Sequence, residues 1–228
     1  MRVAGVVVVE ELAAGEYQYF ENGEVRNITE PWAISIGPDG EVLVASQRRV
    51  GDAGIVIGVE AALVRGRCQR AEFSWRQNGA ARQSTYYFEG GRLCELLCDG
   101  VVQPHVSGFD YFFPLMRVFT GPLLNNMRQG HSAHVLVPWI KDTSQQDMLF
   151  TADVSERSVE HVGRRQVHGG EVDLLEYNGG QYEQAANCVL AGGAWLQAYS
   201  WRMNEGSLWE VRLASPLPEL ACPDFTVV

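Results

Sequence analysis

The sequence predicts an all-β protein, an antiparallel β-roll or half-barrel built from two similar halves with few short helices. Three observations carry that expectation. Short runs of β-branched and aromatic residues recur along most of the chain, and Asn-Gly, Asp-Gly and Gly-Gly pairs break them at close intervals, which is the spacing of a sandwich, roll or barrel. Within the runs polar and apolar residues alternate: in Ala71–Arg76, Phe73 and Trp75 fall on one face and Glu72, Ser74 and Arg76 on the other, the period of a half-buried strand. Finally, the stretch from Tyr86 to Leu96 lines up with that from Tyr199 to Val211, about half a chain length away, the offset that a duplication leaves.

Taken in order, an opening strand or short helix is expected around Val3–Leu12, then a β stretch over Glu16–Gly23 that ends in the Asn22-Gly23 turn. Trp32–Ile36 and Glu41–Arg49 flank Gly37-Pro38-Asp39-Gly40 and form a hairpin, because proline and glycine supply the backbone angles of a tight turn. In Ile55–Val64 the alanines favour helix, while the β-branched residues and Gly58 favour strand; strand is preferred. Ala71–Arg76 turns at Asn78-Gly79, and Arg82–Phe88 pairs with Arg92–Cys98 across Glu89-Gly90-Gly91. Beyond Asp147 the strands expected are Met148–Val154, Ser158–Gln166, Val172–Tyr177, Gln181–Leu190, Ala194–Met203 and Leu208–Ala214. The tail from Pro216 onward reads as an irregular strap.

These elements form one β domain over residues 1–228, with half-repeats at about 16–100 and 147–214 and a seam over 101–146. The seam contains Phe109–Met127, FDYFFPLMRVFTGPLLNNM, in which Pro114 and Pro122 rule out a regular helix throughout. So apolar and irregular a segment needs cover. It is either a core plug between two half-sheets or the wall of an apolar ligand cavity, since pockets favour such junctions. Val135–Ile140 follows as a short apolar run that Pro138 confines to an edge or a bulge.

Composition narrows the function classes. Hydrophobic residues make up 46% and charged residues 20%, a globular balance. The net charge of −10 argues against nucleic acid or an anionic membrane surface as partner. The apolar run Val6–Val9 is too short to span a bilayer and lacks the cleavage site of a secretory signal, so the expected location is cytoplasmic. The five cysteines show no CxxC spacing and read as buried, reduced thiols rather than a disulfide framework or a zinc site.

Repeated antiparallel hairpins, an aromatic and proline-rich junction and a closing strand such as LWEVRL at Leu208–Leu213 resemble the spiral β-roll proteins, among them bacterial families associated with glycolipid binding. The resemblance implies a curved sheet around an apolar cavity and a hydrophobic or lipid-like small ligand.

The signatures of nucleotide-dependent enzymes and common hydrolases are absent. His131 and His134 would share a face only on a helix, and His161 and His168 stand beside Arg164 and Arg165, so neither a metal site nor a cofactor is expected. Arg48 and Arg49 point to opposite faces of one strand, so one of them faces inward and needs a partner, either an internal acid or the carboxylate or phosphate of a ligand. The cavity lining expected around that arginine is Trp75, Tyr86, Phe109, Phe113, Tyr199 and Trp201, aromatic rings suited to an apolar guest. The alternative is a cofactor-independent lyase, isomerase or cyclase, in which Tyr111 with Asp110 and His105 moves one proton. A homodimer follows if the seam buries itself against another subunit.

Overall fold

Residues 10–128, 132–167, 170–179 and 185–226 are described in a computed structural model, and the alternation read above folds into a single fifteen-stranded sheet. The first eight strands are β1 (Glu10–Glu21), β2 (Glu24–Ile36), β3 (Val42–Val50), β4 (Ile55–Val64), β5 (Arg67–Gln77), β6 (Ala80–Glu89), β7 (Arg92–Cys98) and β8 (Val101–Val102). After the seam come β9 (Tyr111–Phe112), β10 (Ala133–Pro138), β11 (Ala152–Val167), β12 (Gly170–Asn178), β13 (Ala186–Ala191), β14 (Trp195–Arg202) and β15 (Leu208–Leu213). Each strand neighbours the next in sequence, and β15 pairs with β1. The sheet is thus a curled meander, antiparallel except at the short parallel β9–β10 pairing, whose two ends, β8 and β9, are consecutive in the chain but not hydrogen-bonded to each other. One short helix, α1 (Thr120–Met127), lies in the seam.

Local chemistry explains most of the boundaries. Asn22, Asn78 and Asp99 take left-handed backbone angles, each followed by a glycine that does the same, the combination that two-residue hairpins select. Two of the departures from the expected boundaries bear on the site. β2 begins at Glu24 rather than Trp32 and runs through Pro31, which is accommodated because the β2–β3 ladder skips from Thr29 to Trp32 and asks no amide of the proline. The separate strands expected at Met148–Val154 and Ser158–Gln166 are one sixteen-residue strand, β11, preceded by a helical turn at Gln146–Met148. The opening segment up to Val9, His131, His168 and residues 181–184 of the expected Gln181–Leu190 strand lie outside the described residues.

The inward faces of the two sheet halves meet and fill most of the interior. Phe73, Tyr86, Phe88, Phe112 and Phe150 form one aromatic cluster, the closest pair being Phe88 and Phe112 with ring centroids 4.7 Å apart. Trp32 of the first half stacks on Trp195 of the second at 5.1 Å, and the Tyr17 and Tyr86 hydroxyls donate across the junction to the carbonyls of Leu196 and Phe150. The two tyrosines contribute apolar area and remain hydrogen-bonded at their polar tips, whereas the buried Trp32 indole N–H has no hydrogen-bond partner among the described residues.

The seam is a plug. Met116, Val118, Phe119, Leu123, Leu124 and Met127 are all buried, and the C-terminal strap lies over them: Phe225 packs edge-on against Phe119 at 5.1 Å, and Asn126 donates to Asp224 and Thr226. α1 approaches β14 so closely that a Cβ on Gly121 would stand 1.9 Å from the Ala194 carbonyl oxygen. The end of the helix is tied down by Arg128, which pairs with Asp173 of β12 at 2.7 Å, where Arg164 and His161 also converge. Burial works against the charge of Asp173, but His161, Arg164 and Arg128 outweigh it and hold the carboxyl below its ordinary pKa.

Gly121→Ala is expected to destabilise the protein by about 1–3 kcal/mol through overpacking, whereas Gly163→Ala, with nothing within 4 Å of the added carbon, should melt like the parent; equal melting of both variants would contradict the tight helix contact. Because the Asp173 pKa is lowered on folding, its contribution is present above the ordinary carboxylate value and is lost as pH falls through the lowered one. Asp173→Asn should therefore cost stability near neutral pH and progressively less in strong acid, which thermal melts across that range will record.

Candidate functional site

The chemistry of the junction starts from Glu30. Its side chain points inward from β2 and is fully buried, with 0% exposure, and an ionised carboxylate in that position requires a full set of donors. It has three: the Tyr19 hydroxyl at 2.8 Å, the Arg48 Nε at 2.8 Å and the backbone N–H of Arg117 in the seam. Burial raises the Tyr19 pKa to about 12, with Arg48 acting in the opposite direction. Burial also works against the Arg48 charge, but Tyr19 and Glu30 more than offset it, and its pKa lies above the ordinary value.

Beside this anchor, where the seam crosses between the halves, is a cavity of about 150 Å³. Its apolar wall is made by Phe113, Leu115 and Leu123 of the seam and by Val137, Trp139 and Ile140 at the end of β10. Its polar side is basic. Arg48, Arg117, Arg157 and Lys141 line it together with Tyr177, Tyr199, Thr120 and Asp153. Three of these cations rest on aromatic faces: Arg117 lies 4.2 Å from the Tyr199 ring centroid, Arg48 5.5 Å from that of Tyr19 and Arg157 5.8 Å from that of Tyr177, geometry in which the ring quadrupole attracts the cation.

The cations differ in what compensates them. Arg48 is neutralised by Glu30, and Lys141 by Asp153 at 2.8 Å. Arg157 is 9% exposed, and its partners among the described residues are two hydroxyls, Ser155 Oγ at 3.1 Å and the phenol oxygen of Tyr177. The Thr120 hydroxyl on the same cavity is buried with no hydrogen-bond partner. Arg157 reaches the site because β11 is continuous, so Arg157 and Val159 share the inward face. Gly179, at φ 100°, lets the neighbouring chain pass over it, since a Cβ there would come within 2.4 Å of the Glu156 carbonyl oxygen.

Of the residues expected to line a cavity, Arg48, Phe113 and Tyr199 do so. Arg49 is exposed and donates to Gln47. Trp75 and Tyr86 belong to the packed core, each with 0% exposure, and Trp201 stacks on Trp209 at 6.0 Å while offering its other surroundings to Arg117. Phe109 sits in a separate hollow with His105, between the β6–β7 turn and the seam. Tyr111, Asp110 and His105 are not brought into one group: Asp110 accepts from the His134 amide at the surface, Tyr111 is half-buried on β9, and among the described residues the three share no hydrogen bond. Sequence reasoning missed Glu30, Arg117, Thr120, Arg157 and Tyr177. The signal for Arg157 was its two-residue spacing from Val159, hidden by the break expected at Ser155–Arg157.

A larger hollow of about 570 Å³ lies on the solvent side of β2–β6, floored by Ala33, Ala45 and Gly58 with Glu60 and Glu72 directly opposed across the ladder. It contains no buried charge, so it is the weaker candidate. Among the described residues there is no group of three or more metal-ligating side chains, and no helix is long and apolar enough to cross a membrane.

Glu30→Ala is expected to cost about 3–5 kcal/mol, because it strands the Arg48 cation and two further donors. Adding Arg48→Met should recover part of that loss. Denaturant titration of both single variants and the double variant checks this, and strictly additive losses would deny the coupling.

No family model and no curated protein matches the sequence. Among solved structures the chain is similar to a β-barrel-like protein of the domain of unknown function DUF1849 from Brucella abortus, with a TM-score of 0.54, 11% identity, and coverage of 92% of this chain and 98% of that one. A DUF1329 family protein from Desulfovibrio piger aligns over 91% of this chain and 83% of its own at 10% identity, with a TM-score of 0.26, too low to speak of a shared fold. The resemblance to spiral β-rolls therefore holds as a β-barrel-like fold.

Proposed function

We propose that the protein binds a small apolar molecule with an anionic end, held in the cavity between the seam and the second half of the sheet. The observation that carries this reading is Arg157: a guanidinium that is 9% exposed, faces the cavity and, among the described residues, has only hydroxyls as hydrogen-bond partners. A buried cation without a counter-charge is costly, and an anion entering beside it relieves that cost. The aromatic and aliphatic wall takes the apolar remainder of the molecule, the usual division of labour in a ligand site.

The arginine expected to anchor the ligand was Arg48 or Arg49. Arg48 borders the cavity but is already paired with Glu30, so the anchoring role passes to Arg157 and Arg48 becomes the scaffold that orients the seam. A cavity of about 150 Å³ is also smaller than the roughly 300–1,000 Å³ usual for drug-sized ligands. A whole lipid does not fit inside it. The net charge of −10 does not oppose an anion at the site itself, because distant surface charges are screened over about 8–10 Å.

Native mass spectrometry of the protein purified from its source tests the reading. A co-purifying apolar anion in the parent, lost in Arg157→Met while circular dichroism shows the fold retained, is the expected result. Equal retention by Arg157→Met, or a parent that takes up no anion from a mixed pool of acids, would overturn it.

A further inference from the structure

We infer that the anion held beside Arg157 is a monocarboxylate carrying a single ring or a short chain, an inference that rests on the proposed binding role and narrows it. Three features of the cavity point that way. The first is charge. Glu30 answers Arg48 and Asp153 answers Lys141, and Arg117 is itself engaged, its guanidinium lying over Tyr199 and Trp201. Arg157, bonded among the described residues to hydroxyls alone, calls for one negative charge, and a dianion such as a phosphate monoester would bring a second charge into a buried site where Asp153 already stands.

The second feature is the donor geometry. Arg157 spends Nε on Ser155 and one N–H of Nη1 on Tyr177, so among the described residues both N–H groups of Nη2 and the second of Nη1 have no hydrogen-bond acceptor. Donors on the two terminal nitrogens suit the two oxygens of a carboxylate. The Thr120 hydroxyl, buried on the same cavity and without a partner, supplies one more donor to a carboxylate oxygen.

The third is size. A cavity of about 150 Å³ lined by aliphatic and aromatic side chains takes up a single benzene ring in another protein, and the cavity here has that volume, with Phe113, Leu123, Val137 and Ile140 around it. A ring or a short alkyl chain fills such a space, while most of a long acyl chain stays outside and gains nothing from it.

Isothermal titration calorimetry of the full chain at slightly alkaline pH, with benzoate, benzamide, phenyl phosphate and palmitate, tests this. Benzoate is expected to bind at least tenfold more tightly than each of the other three, and Arg157→Met to weaken it at least tenfold. Thr120→Val is the second variant: it deletes a buried hydroxyl that has no partner, so the melting temperature should hold or rise while benzoate affinity falls. Tighter binding of phenyl phosphate than of benzoate would overturn the monocarboxylate assignment, and tighter binding of palmitate would overturn the single ring or short chain; loss of either in Arg157→Met would leave the anion site standing. Failure of all four probes to bind would overturn the site as well, and benzoate binding untouched by both variants would place it elsewhere on the protein.

Discussion

A buried carboxylate with no access to water must be surrounded by donors, and the junction of this fold is arranged around that requirement at Glu30. Its three donors come from β1, β3 and the seam, so one side chain joins the sheet to the plug that fills it. Displacing the seam from this position would leave the charge short of a donor, a penalty larger than most single contacts can repay. The same bond to the Arg117 amide sets where the seam begins its helical turn, and so where Thr120 and Leu123 meet the cavity. Pro31 follows Glu30 in the chain and sits where the β2–β3 ladder makes no pair, so the strand carries an inward acid and a proline side by side without losing a ladder hydrogen bond.

The interior is mostly solid. The resemblance implied a curved sheet around an apolar cavity for a hydrophobic or lipid-like small ligand, and the aromatic cluster around Phe73, Tyr86 and Phe112, together with the Trp32–Trp195 stack, fills much of the space between the halves. What remains open is the edge of the plug, where the irregular backbone of the seam cannot interdigitate with the sheet as a regular strand or helix would. Packing therefore left a small space at a place where cations are also gathered. Those cations arrive from separate elements, Arg48 from β3, Arg117 from the seam and Arg157 from β11, and each is held by an aromatic ring that also belongs to the wall or core. Holding a guanidinium over a ring fixes its orientation at little entropic cost, so these cations are preorganised.

Much of the architecture was legible in the residues themselves. Alternation along Ala71–Arg76 identified the buried face of β5, the Asn78-Gly79 and Glu89-Gly90-Gly91 turns delimited β6, and Ile55–Val64 is a strand over its whole expected length. The inward member of the Arg48–Arg49 pair also had to exist, because successive side chains on a strand point to opposite faces. Where the reading failed, the cause was a local signal of the wrong weight. The strand expected from Trp32 starts at Glu24, because the ladder gap lets it run through Pro31. The expected strands broke at Ser155–Arg157, although a strand crossing from a basic pocket to a dry core must carry polar residues on its inward side.

The sequence by itself determined an all-β meander with a proline-interrupted plug, because periodicity and turn chemistry act over a few residues and need no knowledge of distant partners. Only the tertiary structure decided which side chains meet. Glu30 reaches the Arg117 amide across 87 residues and Tyr17 reaches Leu196 across 179, and such encounters depend on how the curled sheet closes on itself, a matter of register, twist and packing that no local pattern encodes.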